Sequence, residues 1–458
     1  MRQRLSIALA SLLAIGATTI QCASAQEAER LGNDLTSLGG EKAASKDGLV
    51  PAWAPGDVGH GWSYGKKRAD FWKYKGEKPQ VSIDAGNVDK FADKLTPGQV
   101  AFIKQTKGYR MDVYPTHRSC SAPDFVVENT KKNVGTAKLG ADGWSLAQAT
   151  LPGTPFPMPK SGAEVMWNFK MRYRGVGVEL PSNTTAVSPR KGSTDWIEAV
   201  SVQTLYFPWG AKGSKNLSDL PPVEYFTYYA YKAPTALAGQ GLVQTVYTDK
   251  VSETFYYFPG QRRVRRMPSY AYDAPQIGFE NQYTMDQPLL FNGTIERFDW
   301  KLAGKKEIYV PYNNVNMFDP AAKLHDVLGE NFVSPDFRRY ELHRVWVIEA
   351  TVKSGTRHIS PKRTFYVDED SWNILVAEDY DTQGKLWKLR EGYVTPVFET
   401  GSCDVLPFVQ YDLTDGRYVF DLHPFGSSKD IRWFPQTTDV RFKDSFYTGE
   451  NLRAISER

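Results

Sequence analysis

From about residue 190 onward the chain is a succession of strand-sized segments, rich in β-branched and aromatic residues and punctuated by Gly, Pro, Asp and Asn. "DWIEAVSVQTLYFPW", "PVEYFTYYAYKA", "TVYTDKVSETFYYFPGQRRVRRMP" and "DWKLAGKKEIYVPYNN" succeed one another without long helical intervals. Parallel strands need a crossover of a dozen or more residues, usually a helix, so this spacing predicts an antiparallel, meandering sheet in a mainly β, α+β chain. The pattern is plainest over residues 357–391. There residues 363–367 read as one strand, Asp368-Glu369-Asp370 as a turn of solvated acids, and residues 373–379 as the next strand. Asp381-Thr382-Gln383-Gly384 then turns the chain into residues 385–390. A chain of 458 residues would often make about three domains, but large β bodies run as one, and one body over residues 190–458 is the expectation.

Residues 26–189 read differently. They are rich in Gly, Pro and charge, and are expected to form a helical and Pro-rich wrap integrated with the β body. "QEAERLGNDLTSLGG" has room for a turn or two of helix. In "KLTPGQVAFIKQT", Thr96 can cap, Pro97 suits the first helical position and Gln99 completes a capping box. "GAEVMWNFKMRYRG" carries Val165, Phe169 and Tyr173 at helical spacing, with Gly175 to end the helix.

The first 25 residues have the three parts of a secretory signal. Arg2 and Arg4 precede an apolar run, and Ala23-Ser24-Ala25 precedes Gln26, so cleavage between Ala25 and Gln26 is expected. Thr19-Ile20-Gln21 before Cys22 is not a lipobox. No later stretch approaches the roughly 18 apolar residues of a membrane span, and the expected location is the periplasm, with outer-membrane association left open. Cleavage lowers the formal charge from +4 to +2, too balanced for a protein that grips nucleic acid. It leaves two cysteines, Cys120 and Cys403, which are expected to pair in an oxidising compartment; the alternative is two separate buried thiols. The six histidines show no HxxxH or HExxH spacing, so no metal site and no cofactor are expected.

Strand alternation sorts the aromatic surplus, 13 per cent Phe, Tyr and Trp, into faces. Tyr225, Thr227, Tyr229 and Tyr231 share one face, and Phe226, Tyr228 and Ala230 the other. Along "YYFPGQRRVRRMP", Arg263 and Arg265 point one way while Arg262, Val264 and Arg266 point the other, so no long basic stripe forms. Edge arginines that pair with carboxylates are one reading, and contacts to an anionic headgroup or acidic partner the other. Tyr225, Tyr229, Tyr256, Phe258, Arg263 and Arg265 are the candidate ligand-binding residues. His117, beside Cys120, reads as structural more readily than as a docking residue.

In order along the chain, "LGNDLTSLGGEKAASKDGLVPAW", "DVYPTHRS", "PFPMPKSGAEVMWN", "YYFPGQRRVRRMPSYAYDAP", "FDWKLAGKKEIYVPYNN" and "KRTFYVDEDSWNILVAEDYDTQGKLW" resemble the domain-of-unknown-function 1329 (DUF1329) family of exported Gram-negative proteins. The C-terminal half of that family is similar in turn to outer-membrane lipoprotein-sorting proteins of the LolA and LolB type. The aromatic strand, P-G turn and basic strand of residues 256–266, and the later hairpin of residues 368–386, look like counterparts of theirs. The resemblance implies a large curved antiparallel sheet, an open half-barrel wrapping helices. It also implies a hydrophobic cargo, a lipid or lipidated protein, with an inner-membrane exporter and an outer-membrane protein as partners. The chain is about twice the length of a simple sorting carrier.

Three functions compete. A carrier needs only a shielded apolar surface: a sixteen-carbon chain resists water by roughly 13 kcal/mol at about 0.8 kcal/mol per methylene. An exported hydrolase needs a nucleophile or paired acids, and no G-x-S-x-G elbow, Walker loop or dinucleotide fingerprint is present. Glu378 and Asp379 are adjacent in a strand and so fall on opposite faces. An adaptor between exporter and outer-membrane protein needs only the scaffold, with its concavity closed. The sequence favours the non-catalytic carrier.

Overall fold

The computed structural model describes residues 26–54 and 61–457. The expected signal segment, with Cys22 and Ala25, lies outside the described residues. Among those described, no helix is long and apolar enough to cross a membrane.

Sixteen strands of the described residues form one sheet. In chain order they begin with β1 (Val81–Ile83), β2 (Met111–Val113), β3 (Gly177–Val187), β4 (Ile197–Tyr206), β5 (Val223–Ala233) and β6 (Gly241–Tyr247). Next come β7 (Glu253–Phe258), β8 (Arg263–Arg266), β9 (Phe298–Pro311), β10 (Tyr340–Val352) and β11 (Lys362–Asp368). The last are β12 (Ile374–Tyr380), β13 (Leu386–Val397), β14 (Ser402–Asp412), β15 (Tyr418–His423) and β16 (Arg432–Phe434). Their spatial order is β1-β2-β10-β11-β12-β13-β14-β15-β3-β4-β5-β6-β7-β8, with β9 added to β10 and β16 to β3. The ladders are antiparallel, as the short turns require, except for a single parallel bridge between Tyr340 and Val113. β1 and β8 end the order without meeting, so the sheet is open.

The sheet also curls. Residues 268–297, between β8 and β9, run as an irregular strap across one face. Phe291 of this strap packs its ring 5.7 Å from that of Phe365 on β11. The very next residue, Asn292, accepts a hydrogen bond from the Tyr225 hydroxyl on β5. β11 and β5 are seven strand spacings apart, ~34 Å along a flat sheet at ~4.8 Å each. Two side-chain contacts and one peptide cannot reach that far, so the face carrying the strap is concave. Gly392 on β13 makes room there: a Cβ on it would stand 2.8 Å from the Leu290 side chain and 2.6 Å from Val405.

The helix Gly162–Lys170 lies on the same face, with Gly162 pressed against Trp300 and Ile348. It ends at Lys170, earlier than its periodicity predicts, and Tyr173 falls outside it. The reason is tertiary. Arg172 and Arg174 run out of the helix to reach buried polar partners, Arg172 donating to Asn373 at 2.7 Å and Arg174 to Asp404 at 2.8 Å.

N- and C-terminal elements cover the convex face. Helix Pro97–Gln105 starts with the expected capping box between Thr96 and Gln99. It docks through Gly98, whose N–H donates to Glu378, and Gln99, which donates to Glu391 at 3.0 Å. The C-terminal helix Gly449–Ser456 buries Leu452 against Phe226, Val243 and Tyr257 of β5 to β7, together with Tyr447 from the turn before it. Cys120 and Cys403 are bonded, 283 residues apart in sequence. The boundary expected at residue 190 is corrected: β3 (Gly177–Val187) is an interior strand between β15 and β4, and β1 and β2 lie at one end of the same sheet.

Candidate functional site: a tyrosine-lined cleft

The alternation read along β5 holds in space. Phe226 and Tyr228 face the C-terminal helix, where Phe226 stacks 5.1 Å from Tyr447 and Tyr228 meets Phe446 edge-on. Tyr225, Thr227, Tyr229 and Tyr231 face the concavity and line a cleft with Gln203 and Leu205 of β4, and Leu242 and Gln244 of β6. The strap closes the other side with Tyr270, Tyr283, Met285 and Leu289, and β15 contributes Asp421 and Leu422. The empty space, open mouth included, is about 680 Å³. Its enclosed cavity is only about 70 Å³, room for a few water molecules and well below the ~300–1,000 Å³ usual for small-molecule sites.

Most polar groups in the wall are already committed to the protein. The Tyr225 hydroxyl donates to Asn292, the Tyr231 hydroxyl to the Ile277 carbonyl at 3.3 Å and the Tyr283 hydroxyl to Asp421 at 2.7 Å. Asp421 also accepts from Thr185 at 2.6 Å and from the Leu422 N–H at 2.8 Å. Burial raises the Asp421 carboxyl above its ordinary range, and these donors offset only part of that. Burial likewise pushes the phenols up, that of Tyr270 to about 12, so all stay neutral and none is poised as a base. Gln203 donates to Thr227 at 3.2 Å while its buried amide oxygen has no partner. Leu289 and Leu422, on facing walls, have φ of 56° and 65°. A branched side chain in that left-handed region costs of order 1–3 kcal/mol and persists only where the surroundings impose it.

Of the sequence candidates, Tyr225 and Tyr229 line this cleft. Tyr256 and Phe258 share its face but sit behind it, in a satellite cluster with Leu242, Tyr270 and Met285. Arg263 and Arg265 are exposed on the edge strand β8, and neither reaches the cleft. Arg265 donates to Gln261 at 2.6 Å and lies over the Phe258 ring, and Arg266 pairs with Glu253 at 2.8 Å. Arg262 departs from the simple alternation: it occupies a left-handed turn position, φ 48°, before β8 begins. His117 hydrogen-bonds Glu77 at 2.7 Å and stacks on Tyr74 at 3.5 Å, a structural placement.

The acidic turn needs a larger correction. Asp368, Glu369 and Asp370 are fully buried, not solvated. Arg118 forks onto Asp370 with two 2.7 Å bonds, Arg118 and Arg344 both reach Glu369, and Lys305 pairs with Glu369 at 2.7 Å. Tyr312 and Ser371 donate to Asp368 at 2.9 and 2.5 Å, leaving its other oxygen unpartnered. Burial and the neighbouring Asp370 raise Asp368 to about 6. The turn looked like surface because its cations come from residues far away in sequence. His343, Asp368 and Asp370 stand close enough for their ligand atoms to share a metal ion. The Arg118 guanidinium, however, already holds both Asp370 oxygens, and His343 Nε2 is engaged by Glu341 at 3.0 Å, so the donor set does not fit one.

A second buried network ties the strap to the sheet. Asp379 is held between Arg363 at 2.9 Å and Arg390 at 2.5 Å. Arg363 also reaches Asp286 of the strap at 2.6 Å, and His358 bonds the same carboxylate at 2.9 Å. Burial alone would raise Asp379, but the two guanidiniums hold it far below the carboxylate range. Glu378, its neighbour, lies on the convex face against Gly98, so the two acids do not cooperate.

The family described as "Protein of unknown function (DUF1329)" matches residues 82–453. The chain belongs to the DUF1329 family. It is 38% identical over 417 residues to the uncharacterized protein PA3922 of Pseudomonas aeruginosa, an alignment that covers 89% of this chain and 90% of that protein. A DUF1329 family protein from Desulfovibrio piger, solved as a crystal structure, overlays with a TM-score of 0.42 at 12% identity, covering 63% of this chain and 98% of that one. A LolA superfamily protein, NE2245 from Nitrosomonas europaea, gives a TM-score of 0.36 at 10% identity, covering 63% and 100%.

Proposed function

We propose that this DUF1329 protein is a non-catalytic carrier or chaperone of the periplasm that shields a hydrophobic cargo, a lipid or lipidated protein, in the concavity of its sheet. The observation that carries the reading is the tyrosine cleft, an aromatic-walled opening on the concave face whose phenols are neutral and whose polar groups are mostly spent on the protein itself. Such a wall removes apolar surface from water and offers no activated nucleophile or acid–base pair. Tyrosine suits an amphiphile, since its ring is apolar and its hydroxyl is not. A long cargo would enter only by displacing the strap, which is pinned through Asp286, Tyr283 and Asn292. An exporter and an outer-membrane protein are the partners this reading expects.

The small inner cavity favours one alternative, an envelope adaptor whose concavity stays filled by its own strap. Native mass spectrometry of full-length protein purified from its own cells without detergent separates the two. A lipid-sized adduct that organic extraction removes, and that Tyr225→Ala or Tyr229→Ala reduces, supports the carrier. A bare species at every stage, isolated in a stable complex with envelope proteins, overturns it in favour of the adaptor.

A further inference from the structure

One rim of the concavity carries positive charge that the protein does not neutralise. β8 is the last strand at its end of the sheet, so the outer side of the β7–β8 hairpin meets no further strand. Arg262, Arg263 and Arg265 are exposed there, and among the described residues no carboxylate stands within ion-pair distance of any of them. The acids of the neighbouring strand and strap are engaged elsewhere: Glu253 by Arg266, Asp273 by Arg297, and Glu280 by Arg190 and Arg417. The adjoining turn, residues 234–240, holds no acid, and a Cβ on its Gly239 would stand 3.6 Å from Pro259. Arg263 and Arg265 pair in register with Phe258 and Tyr256, which sets both guanidiniums on the concave side. Arg265 lies over the half-buried Phe258 ring. Guanidiniums beside an aromatic ring suit a layer of phosphate head groups above an apolar one. The position suits it as well. Tyr256 packs on Leu242 of β6, which lines the tyrosine cleft, so the basic rim is two strand spacings, ~10 Å, from that wall. An acidic protein would use the arginines but neither the ring nor the nearness of the cleft.

We propose that the β7–β8 hairpin docks the protein on a membrane surface of anionic phospholipids, with Arg262, Arg263 and Arg265 on the phosphates. This rests on the carrier reading and names the surface at which such a carrier meets its lipid.

The test is co-sedimentation of the protein, purified from its own cells, with vesicles of phosphatidylcholine alone or of phosphatidylcholine and phosphatidylglycerol in equal parts. At ~0.01 M salt it is expected to bind the anionic vesicles at least tenfold more tightly than the neutral ones. That preference should shrink at ~0.15 M salt, as the Debye length falls from ~30 to ~8 Å. A basic residue at such a surface is worth roughly fivefold in binding. The triple variant Arg262→Gln, Arg263→Gln, Arg265→Gln is therefore expected to lose at least twentyfold, with circular dichroism showing it folded. A control with the same loss of charge on the other wing, Lys90→Gln, Lys107→Gln, Lys385→Gln, takes exposed lysines without ion-pair partners and should stay within threefold of wild type. Equal binding to the two kinds of vesicle overturns the proposal, and so do equal losses in the two variants. Wild type that ignores both vesicles but holds an acidic envelope protein through these arginines overturns it in favour of a protein partner. Should the triple variant not fold, Arg263→Gln alone is expected to weaken binding roughly fivefold, and no change there overturns the proposal. The carrier reading is judged separately, by the lipid adduct in native mass spectrometry, which none of these results touches.

Discussion

The strap's hold on the sheet makes a quantitative prediction. Asp286 is buried and accepts from Arg363 at 2.6 Å, His358 at 2.9 Å and Thr284 at 2.7 Å. Burial would raise its carboxyl, but Arg363 and His358 overcome that and hold it at about 2, below the ordinary 3.8. A carboxylate depressed by that much contributes about 2.5 kcal/mol at neutral pH, on ~1.4 kcal/mol per unit. The contribution is complete above the unfolded-chain value of 3.8 and is lost as pH falls toward 2. Asp286→Asn keeps the shape and removes the charge. Arg363 retains Asp379, so the loss should fall on the strap and not on the sheet. The assay is hydrogen exchange at the strap amides that bond within the strap, Gln276 to Tyr283, Met285 to Ala274 and Asn292 to Asp286. These are expected to exchange roughly 60-fold faster in the variant at pH 7, with amides of β12 and β13 changed by much less. Wild-type protection at the same sites should decline between pH 4 and pH 2, and the variant should show no such decline. Strap protection within threefold of wild type at pH 7 would refute the claim that this ion pair pins the strap.

Asp368→Asn tests the buried turn with the opposite sign. A carboxyl raised from 3.8 to about 6 costs the folded state about 3 kcal/mol once ionised, so the variant should gain on wild type as pH rises from 4 to 7 and show no advantage at pH 4, read by urea unfolding at each pH. Replacing Cys120 and Cys403 by alanine opens a loop of 283 residues and should cost up to ~5–6 kcal/mol by the chain-entropy account, seen as a lower denaturant midpoint that reductant then leaves unchanged. Gly210→Ala would put a Cβ 2.0 Å from the Gly175 carbonyl oxygen, a backbone clash that should lower stability by ~3 kcal/mol or more in thermal unfolding, while alanine at exposed Gly260, with nothing near its Cβ, should cost little.

What could be read from the sequence was what is settled locally. The Thr96–Gln99 capping box spans one turn, and the hairpin of β11 and β12 is fixed by a turn between two alternating runs, so both were visible. The faces of β5 followed from period two alone. β3 was not visible, because Gly177, Pro181, Ser182 and Asn183 break its alternation and the register shifts between Leu180 and Asn183. Nor was the strap. Residues 268–297 mix aromatics with Gly, Pro, Asn and Asp in no period, and only their contacts with β5, β11, β14 and β15 give them a place. The burial of Asp368, Glu369 and Asp370 was equally hidden, since Arg118 stands some 250 residues away and nothing adjacent announces it. Gln203 had no sequence signal at all: a lone glutamine in a strand is ordinary until the amide oxygen is found buried and unmet.

The two long runs of hairpins in the sheet meet out of chain order. β3, residues 177–187, pairs with β15, residues 418–423, so its two wings share a single seam made from strands more than two hundred positions apart. Each wing is a run of local hairpins that can zip soon after synthesis, but the seam must wait for nearly the whole polypeptide, and closing so long a loop is slow. Until then the concave wall does not exist, and a partly folded chain presents two unjoined ribbons with bare edges. The greasy interior is therefore the last part of the protein to form.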